Sequence, residues 1–340
     1  GVLPIPLTLI PLVGGLAGLF FGLLFGYVTT KRSGTTFSMI SLGIVELVFA
    51  CSLMFPGFFG GEGGVSGNRV YSQPFLGISY GPQIQVYYLI AFWLFISTAA
   101  MYAIAHTPLG RIANAVRDNP ERAEFIGYDT QRVRYLMLVL SGFFAGISGG
   151  LTAINFEIVS AENVSAARSG AVLLFAFIGG IGFFFGPILG AIIGVFLTVM
   201  LSEFTKAWLL YLGLFFIVIV MYAPGGIASL IMMNLRLVSA GLFARVLPST
   251  LRLMAAALVA LLGLVSLIEM TYHASLESSQ GPTMKLFSLQ IDTAAATSWL
   301  FAFFLLGAGV ALLLWWRKAF SDVWDEVQAE MARLDTRSGR

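Results

Sequence analysis

Few side chains in this 340-residue chain are suited to chemistry. Its two histidines, His106 and His273, stand far apart in sequence, which argues against a histidine-rich metal site. The one cysteine, Cys51, lies in an apolar run and cannot form an intrachain disulfide. The glycine-rich "GGEGGVSG" at 60–67 lacks the lysine of a phosphate-binding loop, and G-x-x-x-x-G-K-[ST] occurs nowhere, so no nucleotide chemistry is expected here. Glu46 is the sharpest polar group: in "SLGIVELVFACS" a carboxylate is costly and should face an interior. A hydrogen-bonded packing role would satisfy it equally well. Charge gathers instead in "GRIANAVRDNPERAEFIGYD", residues 110–129, which carries Arg111, Arg117, Asp118, Glu121, Arg122, Glu124 and Asp129.

The elements that must position these residues follow from composition. The chain is 58% hydrophobic and 11% charged, with a mean hydropathy of +0.89. Soluble domains are about 45–50% apolar and about 25% charged, so this is an integral membrane chain. Apolar runs near the ~20 residues that a helix needs to cross the hydrocarbon core predict an all-α, polytopic transmembrane bundle. Nine spans are expected, at roughly 6–29, 35–56, 84–106, 135–154, 168–180, 186–203, 207–223, 251–270 and 297–316. Nine alternating spans place Lys31, Arg32, the arginines of 111–134, Arg236, Arg245, Arg252, Arg317 and Lys318 on one side, the cytoplasmic one. The short span 168–180 is the weakest and reads equally as a broken or re-entrant helix. The tail "SDVWDEVQAEMARL" sets Val323, Val327, Met331 and Leu334 near one helical face, which could rest on the membrane or on a partner.

Local rules specify the charged segment closely. Thr107 is expected to cap a helix opening at Pro108, and Asn119 a second opening at Pro120, with Glu121 in its first turn. Gly127 is expected to close it in the left-handed conformation, and Asp129 or Thr130 to start the next span. Ala123, Phe125 and Ile126 offer a small apolar surface beside Arg117, Glu121, Arg122 and Glu124. An ordinary solvated loop would not need so many helix signals; a rigid projection suits docking to another protein.

Glycines recur every fourth residue at Gly14–Gly18–Gly22–Gly26, Gly142–Gly146–Gly150 and Gly182–Gly186–Gly190–Gly194. Membrane helices pack closely through such stripes, so they specify a tight bundle and name no solute. Candidates for a polar path are Thr36, Ser41 and Glu46, with Gly179, Gly180 and Gly182, where a broken helix would present backbone groups to a solute. A tight turn is the plainer reading of those glycines. Outside, Glu157, Glu162 and Arg168 are either solvated loop charges or rim charges that orient a partner.

"TPLGRIANAVRDNPERAEFIGYD" resembles the cytoplasmic coupling region of permease subunits of bacterial branched-chain amino acid ABC transporters. The likeness continues through "SGFFAGISGGL", "GAVLLFAFIGGIGFFFGPILGAIIG" and "YAPGGIASLI", and takes in "GTTFSMISLGIVELV" and "GGEGGVSG", about residues 15–231. It implies a permease core over 1–231 in the bacterial inner membrane, with a coupling segment at 107–130. There Arg111, Arg117, Asp118, Asn119, Glu121, Arg122, Ala123, Glu124 and Gly127 would meet cytoplasmic ATPase subunits.

The likeness also implies a second permease subunit and a periplasmic solute-binding protein that would dock at Glu157, Glu162 and Arg168. ATP and magnesium would be held by the partner ATPases and no cofactor by this chain; membrane lipid, and no nucleic acid, completes the expected partners. Family members usually carry further N-terminal helices, so the core is expected to lack some. Residues 232–340 continue past the family's usual end as two extra spans and a tail. The chief alternative, a self-contained secondary transporter or channel, would call for intramembrane charge pairs, and Glu46 is nearly alone. A membrane enzyme would need clustered nucleophiles or bases, which the sequence does not offer.

Overall fold

The structure, a computed structural model, describes residues 6–71, 79–276, 283–286 and 289–337. It divides into two compact units, Gly1–Ala171 and Val172–Arg340. The first holds α1 (Ile10–Thr29), α2 (Thr35–Met54), α3 (Pro56–Phe59), β1 (Val65–Ser66), α4 (Gln83–His106), α5 (Pro108–Asp118), α6 (Pro120–Phe125), α7 (Thr130–Phe156) and β2 (Ile158–Val159). Helix α8 (Ala166–Gly179) begins in this unit and ends in the next. The second unit continues with α9 (Gly186–Phe204), α10 (Trp208–Tyr222), α11 (Gly226–Ser239), α12 (Phe243–Leu276), the strands β3 (Thr283–Leu286) and β4 (Leu289–Asp292), and α13 (Ala296–Arg337).

Among the described residues seven helices are long and apolar enough to cross a membrane. An eighth is gained if α10 and α11, bent by 49° at the Pro224 break, count as one span. Helix α8 is apolar but only 14 residues long. The all-α bundle expected from composition is thus present, and nine is an approximate count of its spans. Large side chains such as Phe20, Phe92 and Phe196 stand exposed on the chain's own surface. In water they would be a liability; in lipid they meet a solvent as apolar as themselves.

The centre of the first unit is the antiparallel pair α1–α7, held together by the glycine stripes. A Cβ on Gly14 would stand 2.5 Å from the Gly146 carbonyl oxygen, and one on Gly22 would stand 3.2 Å from Val139 Cα. At Gly18 the Gly142 carbonyl is closer still. Two backbones approach here as no larger residue would permit. Gly26 packs on Tyr135 and Leu138, so the α1–α2 turn with Lys31 and Arg32 lies at the same end as the coupling segment. At the opposite end Leu7, Tyr80, Val86, Leu89 and Ile154 close a small apolar core. There burial pushes the Tyr80 phenol above its ordinary value.

In the second unit α8 and α9 form a hairpin on glycine, as a Cβ on Gly179 would strike the Gly186 carbonyl. Gly180, at φ +107°, lies against Gly225 and Gly226 at the break before α11. Helices α12 and α13 run antiparallel, Gly263 against the Leu306 backbone and Gly309 against that of Ala260. They are joined through the β3–β4 pairing, Thr283 opposite Asp292 and Leu286 opposite Leu289.

The expected tail face finds its partner within the chain. Helix α13 runs unbroken from its apolar span into the charged tail, where Val327, 2% exposed, packs on Leu237, Leu242 and Val246. Met331 lies beside that cluster, Val323 is half-buried, and the Leu334 side chain falls outside the described residues. Arg245 Nη1 pairs with Glu330 Oε2 at 2.7 Å.

Candidate functional site

The charged segment folds by the local rules its sequence carries. The Gly110 amide donates to Thr107 Oγ1 at 3.4 Å, opening α5 at Pro108. The Arg122 amide donates to Asn119 Oδ1 at 3.0 Å, opening α6 at Pro120, and the Arg132 amide donates to Asp129 Oδ1 at 3.0 Å, opening α7. Each cap satisfies an amide that the first helical turn leaves without a partner. Gly127 takes φ +94° after α6. Thr130 Oγ1 donates to Glu124 Oε1 at 2.7 Å, stapling α6 to the start of α7.

One residue of this segment faces the other way from the sequence expectation. Ala123 is 3% exposed and packs with Val116 and Val133 beneath Ile112 and Ala113, so it anchors the segment and offers no surface. The reason is the crossing of α5 and α6 over α7, which turns the inner side of a six-residue helix into core. Phe125 and Ile126 point outward, 91% and 70% exposed. In the same segment Arg111, Arg117, Asp118, Glu121 and Arg122 are also exposed, Arg117 Nε being paired with Asp118 Oδ1 at 3.0 Å. The product is a rigid, capped projection with an apolar tip and a charged rim.

The candidate path residues fall into two groups. Thr36, Ser41 and Glu46 lie on α2, a helix whose only buried residue is Ser52. Thr36 and Glu46 are exposed on the chain's surface, and the Ser41 hydroxyl is buried without a hydrogen-bond partner. Gly179 and Gly180 belong to the other unit, buried in the backbone crossings of α8, α9 and α11, while Gly182 stands in open space.

The three outer candidates also separate. Glu157, at φ +57°, caps the end of α7 and accepts the Arg69 amide on Oε1 at 3.0 Å. The Arg69 guanidinium lies 3.7 Å from that carboxylate and donates to the carbonyls of Asn155 and Gly81 and to Gln83 Oε1. With Val65 paired to Val159 and Ser66 to Ile158, this clasp fastens the glycine-rich loop to the end of α7. Glu162 and Arg168 are exposed, and the Arg168 amide is capped by Ser165 Oγ at 3.2 Å.

Two further features escaped the sequence reading. Between α4 and α7 runs a groove of about 310 Å³, walled by Trp93, Leu94, Met101, Phe144 and Leu151 and carrying Ser97, Ser148, Thr152 and Asn155. The last three are spaced i, i+4, i+7, a polar stripe within one span that could have been found by its period. In the second unit the Tyr211 hydroxyl donates to Glu269 Oε1 at 2.8 Å, joining α10 to α12. Glu269 sits at the end of its apolar run, where a carboxylate passes for an interfacial residue.

Residues 2–224 match the family described as branched-chain amino acid transport system / permease component. The chain is 26% identical over 247 residues to the High-affinity branched-chain amino acid transport system permease protein LivM of Escherichia coli (strain K12), covering 66% of this chain and 58% of that protein. It is 26% identical over 254 residues to the protein of that name from Salmonella typhimurium, covering 68% and 59%. A more distant likeness, 25% over 215 residues, links it to the Fructose import permease protein FrcC of Rhizobium meliloti, covering 55% and 54%. The chain thus spans under two thirds of the length of these curated relatives. No solved structure matches it. With its series of apolar helices and a match over most of its length, the chain belongs to the branched-chain amino acid transport permease family, whose members are multi-pass proteins of the inner membrane.

Proposed function

We propose that this chain is the transmembrane permease subunit of an ATP-driven importer, forming part of the path for branched-chain amino acids or a similar small solute. The observation that carries this reading is the α5–α6 projection, braced by three side-chain caps and a buried Ala123, with Phe125 and Ile126 turned outward. A rigid element with an apolar tip suits a cleft in an ATPase subunit, and its seat on α7 gives ATPase movement a direct lever on the membrane helices. ATP and magnesium then belong to those partner subunits.

A second permease subunit would cover the exposed face of α2, so that Thr36, Ser41 and Glu46 line a path; in the second unit Gly179, Gly180 and Gly182 are the proposed path residues. A periplasmic binding protein would deliver solute at Glu157, Glu162 and Arg168. The α12–α13 hairpin, beyond the family match, would lie at the periphery.

The test is reconstitution in proteoliposomes with and without cognate ATPases and binding protein. Uptake of leucine that requires all partners and ATP is expected. Uptake by the chain alone would show a self-contained transporter.

A further inference from the structure

We propose that the α12–α13 hairpin gathers acidic phospholipids, with Arg252, Arg317 and Lys318 forming a cationic collar at headgroup level that takes the phosphates of lipids with a net negative charge. This role belongs to the extension beyond the family match at residues 2–224 and does not depend on which solute the chain carries.

The first observation is a shared height. Gly309 of α13 lies against the Ala260 backbone of α12. Arg252 is eight residues before Ala260, and Arg317 is eight residues after Gly309. In antiparallel helices rising about 1.5 Å per residue, both stand about 12 Å along from that contact. The helices are still together further on, where Val246 and Val327 share one apolar cluster. Arg252 and Arg317 are therefore level, and Lys318 follows at the next residue.

The second observation is where that level meets the bilayer. Residues 253–268 of α12 and 296–316 of α13 contain no Asp, Glu, Lys or Arg, and the three cations close both runs at one end. Trp315, 76% exposed, and Trp316, half-buried, end the run on α13. Tryptophan favours the boundary between hydrocarbon and headgroups, which is also the depth of the lipid phosphates.

The third observation is the lack of counter-charge. Arg69, Arg117, Arg132 and Arg245 each pair with a carboxylate of the chain, and Lys31 lies over the Tyr27 ring at 4.3 Å. Among the described residues Arg252, Arg317 and Lys318 have no such partner, although all three are exposed and Asp322 stands one turn beyond Lys318. Unpaired cations at this depth draw in acidic lipids, each by about fivefold, whereas a zwitterionic lipid brings its own ammonium. Successive residues of a helix point about 100° apart, so Arg317 and Lys318 diverge. A collar of that kind faces several lipids at once and does not converge on one small anion.

The test reconstitutes the full chain in phosphatidylcholine bilayers. Electron spin resonance then compares its association with spin-labelled phosphatidylglycerol and with spin-labelled phosphatidylcholine. A preference for phosphatidylglycerol of at least about fivefold is expected, the effect of one interfacial cation. Arg252→Gln/Arg317→Gln/Lys318→Gln should lower it at least about threefold, with thermal unfolding unchanged. Should that triple variant lose its fold, Lys318→Gln alone must still lower the preference. Arg252→Lys/Arg317→Lys keeps the charge and should keep the preference, and Lys31→Gln/Arg32→Gln in the first unit should leave it near the starting value. Absence of a preference overturns the collar. Equal loss in both neutralised variants does so too, since the attraction would then be diffuse. Loss in the lysine variant would make the arginines packing residues, and displacement by inorganic phosphate at constant ionic strength would make a soluble anion the ligand; either result also overturns it.

Discussion

Tyr211 on α10 and Glu269 on α12 share a hydrogen bond of 2.8 Å, the phenol donating to the carboxylate. It ties a helix within the family match to the extension that follows it. Hydrogen bonds between membrane helices are modest, about 0.6–1.7 kcal/mol in measured cycles. Tyr211→Phe is therefore expected to lower stability by about 1 kcal/mol. Glu269→Leu in the same chain should recover part of the loss by removing the abandoned carboxylate. Thermal unfolding in detergent measures both, and an unaffected Tyr211→Phe chain would show that packing alone holds the extension.

Ala123 and Phe125 make a paired test of the coupling segment. Ala123→Asp places a carboxylate in the cluster of Val116 and Val133 and should destabilise the segment by about 2–4 kcal/mol, seen as faster proteolysis between residues 107 and 130. Phe125→Asp changes an exposed residue and should leave the fold intact while abolishing solute-stimulated ATPase activity in the assembled transporter. Equal destabilisation by both would mean that Phe125 is covered by this chain and not by a partner.

The glycine faces of α1 and α7 predict a steep dependence on side-chain size. A methyl group at Gly18 collides with the Gly142 carbonyl, so even Gly18→Ala forces the helices apart, at about 1–3 kcal/mol. At Gly149 a methyl group would meet nothing within 4 Å, so this position should accept alanine without loss. Comparing the unfolding of the two variants in lipid nanodiscs isolates packing from helix propensity, since both exchange glycine for alanine.

Arg69 predicts a local effect at the opposite end of the unit. Arg69→Ala deprives Glu157, Asn155, Gly81 and Gln83 of one shared donor. Hydrogen exchange over residues 60–71 should then rise at least about tenfold, as the loop opens locally while α4 and α7 stay protected. Protection lost across both helices would instead make Arg69 a support of the whole unit.

How much of this was legible in the sequence depends on the range of the cause. Thr107, Asn119 and Asp129 act on amides three residues away, so their helix starts can be read directly from the chain. Val327 was visible as one side of an amphipathic tail, but its partners Leu237, Leu242 and Val246 lie some eighty or more residues earlier, and only folding joins them. Ala123 misled for the same reason, because its burial depends on the crossing over α7 and not on its own short helix. The stripe of Ser148, Thr152 and Asn155 carries a helical period, yet the stronger glycine period on the same helix obscured it.

Helix α13 has a consequence of reach. At about 1.5 Å per residue its 42 residues extend roughly 63 Å, twice the ~30 Å thickness of the hydrocarbon core. With the apolar span occupying its first half, the stretch from Arg317 to Arg337 continues the same helix for about 30 Å more. Because Val327 seats that stretch on the α11–α12 turn, it cannot swing like a tether. A chromophore attached at the exposed Ala332 would be held at a set distance from the α11–α12 turn, making this helix a built-in ruler for tilting of the α12–α13 pair.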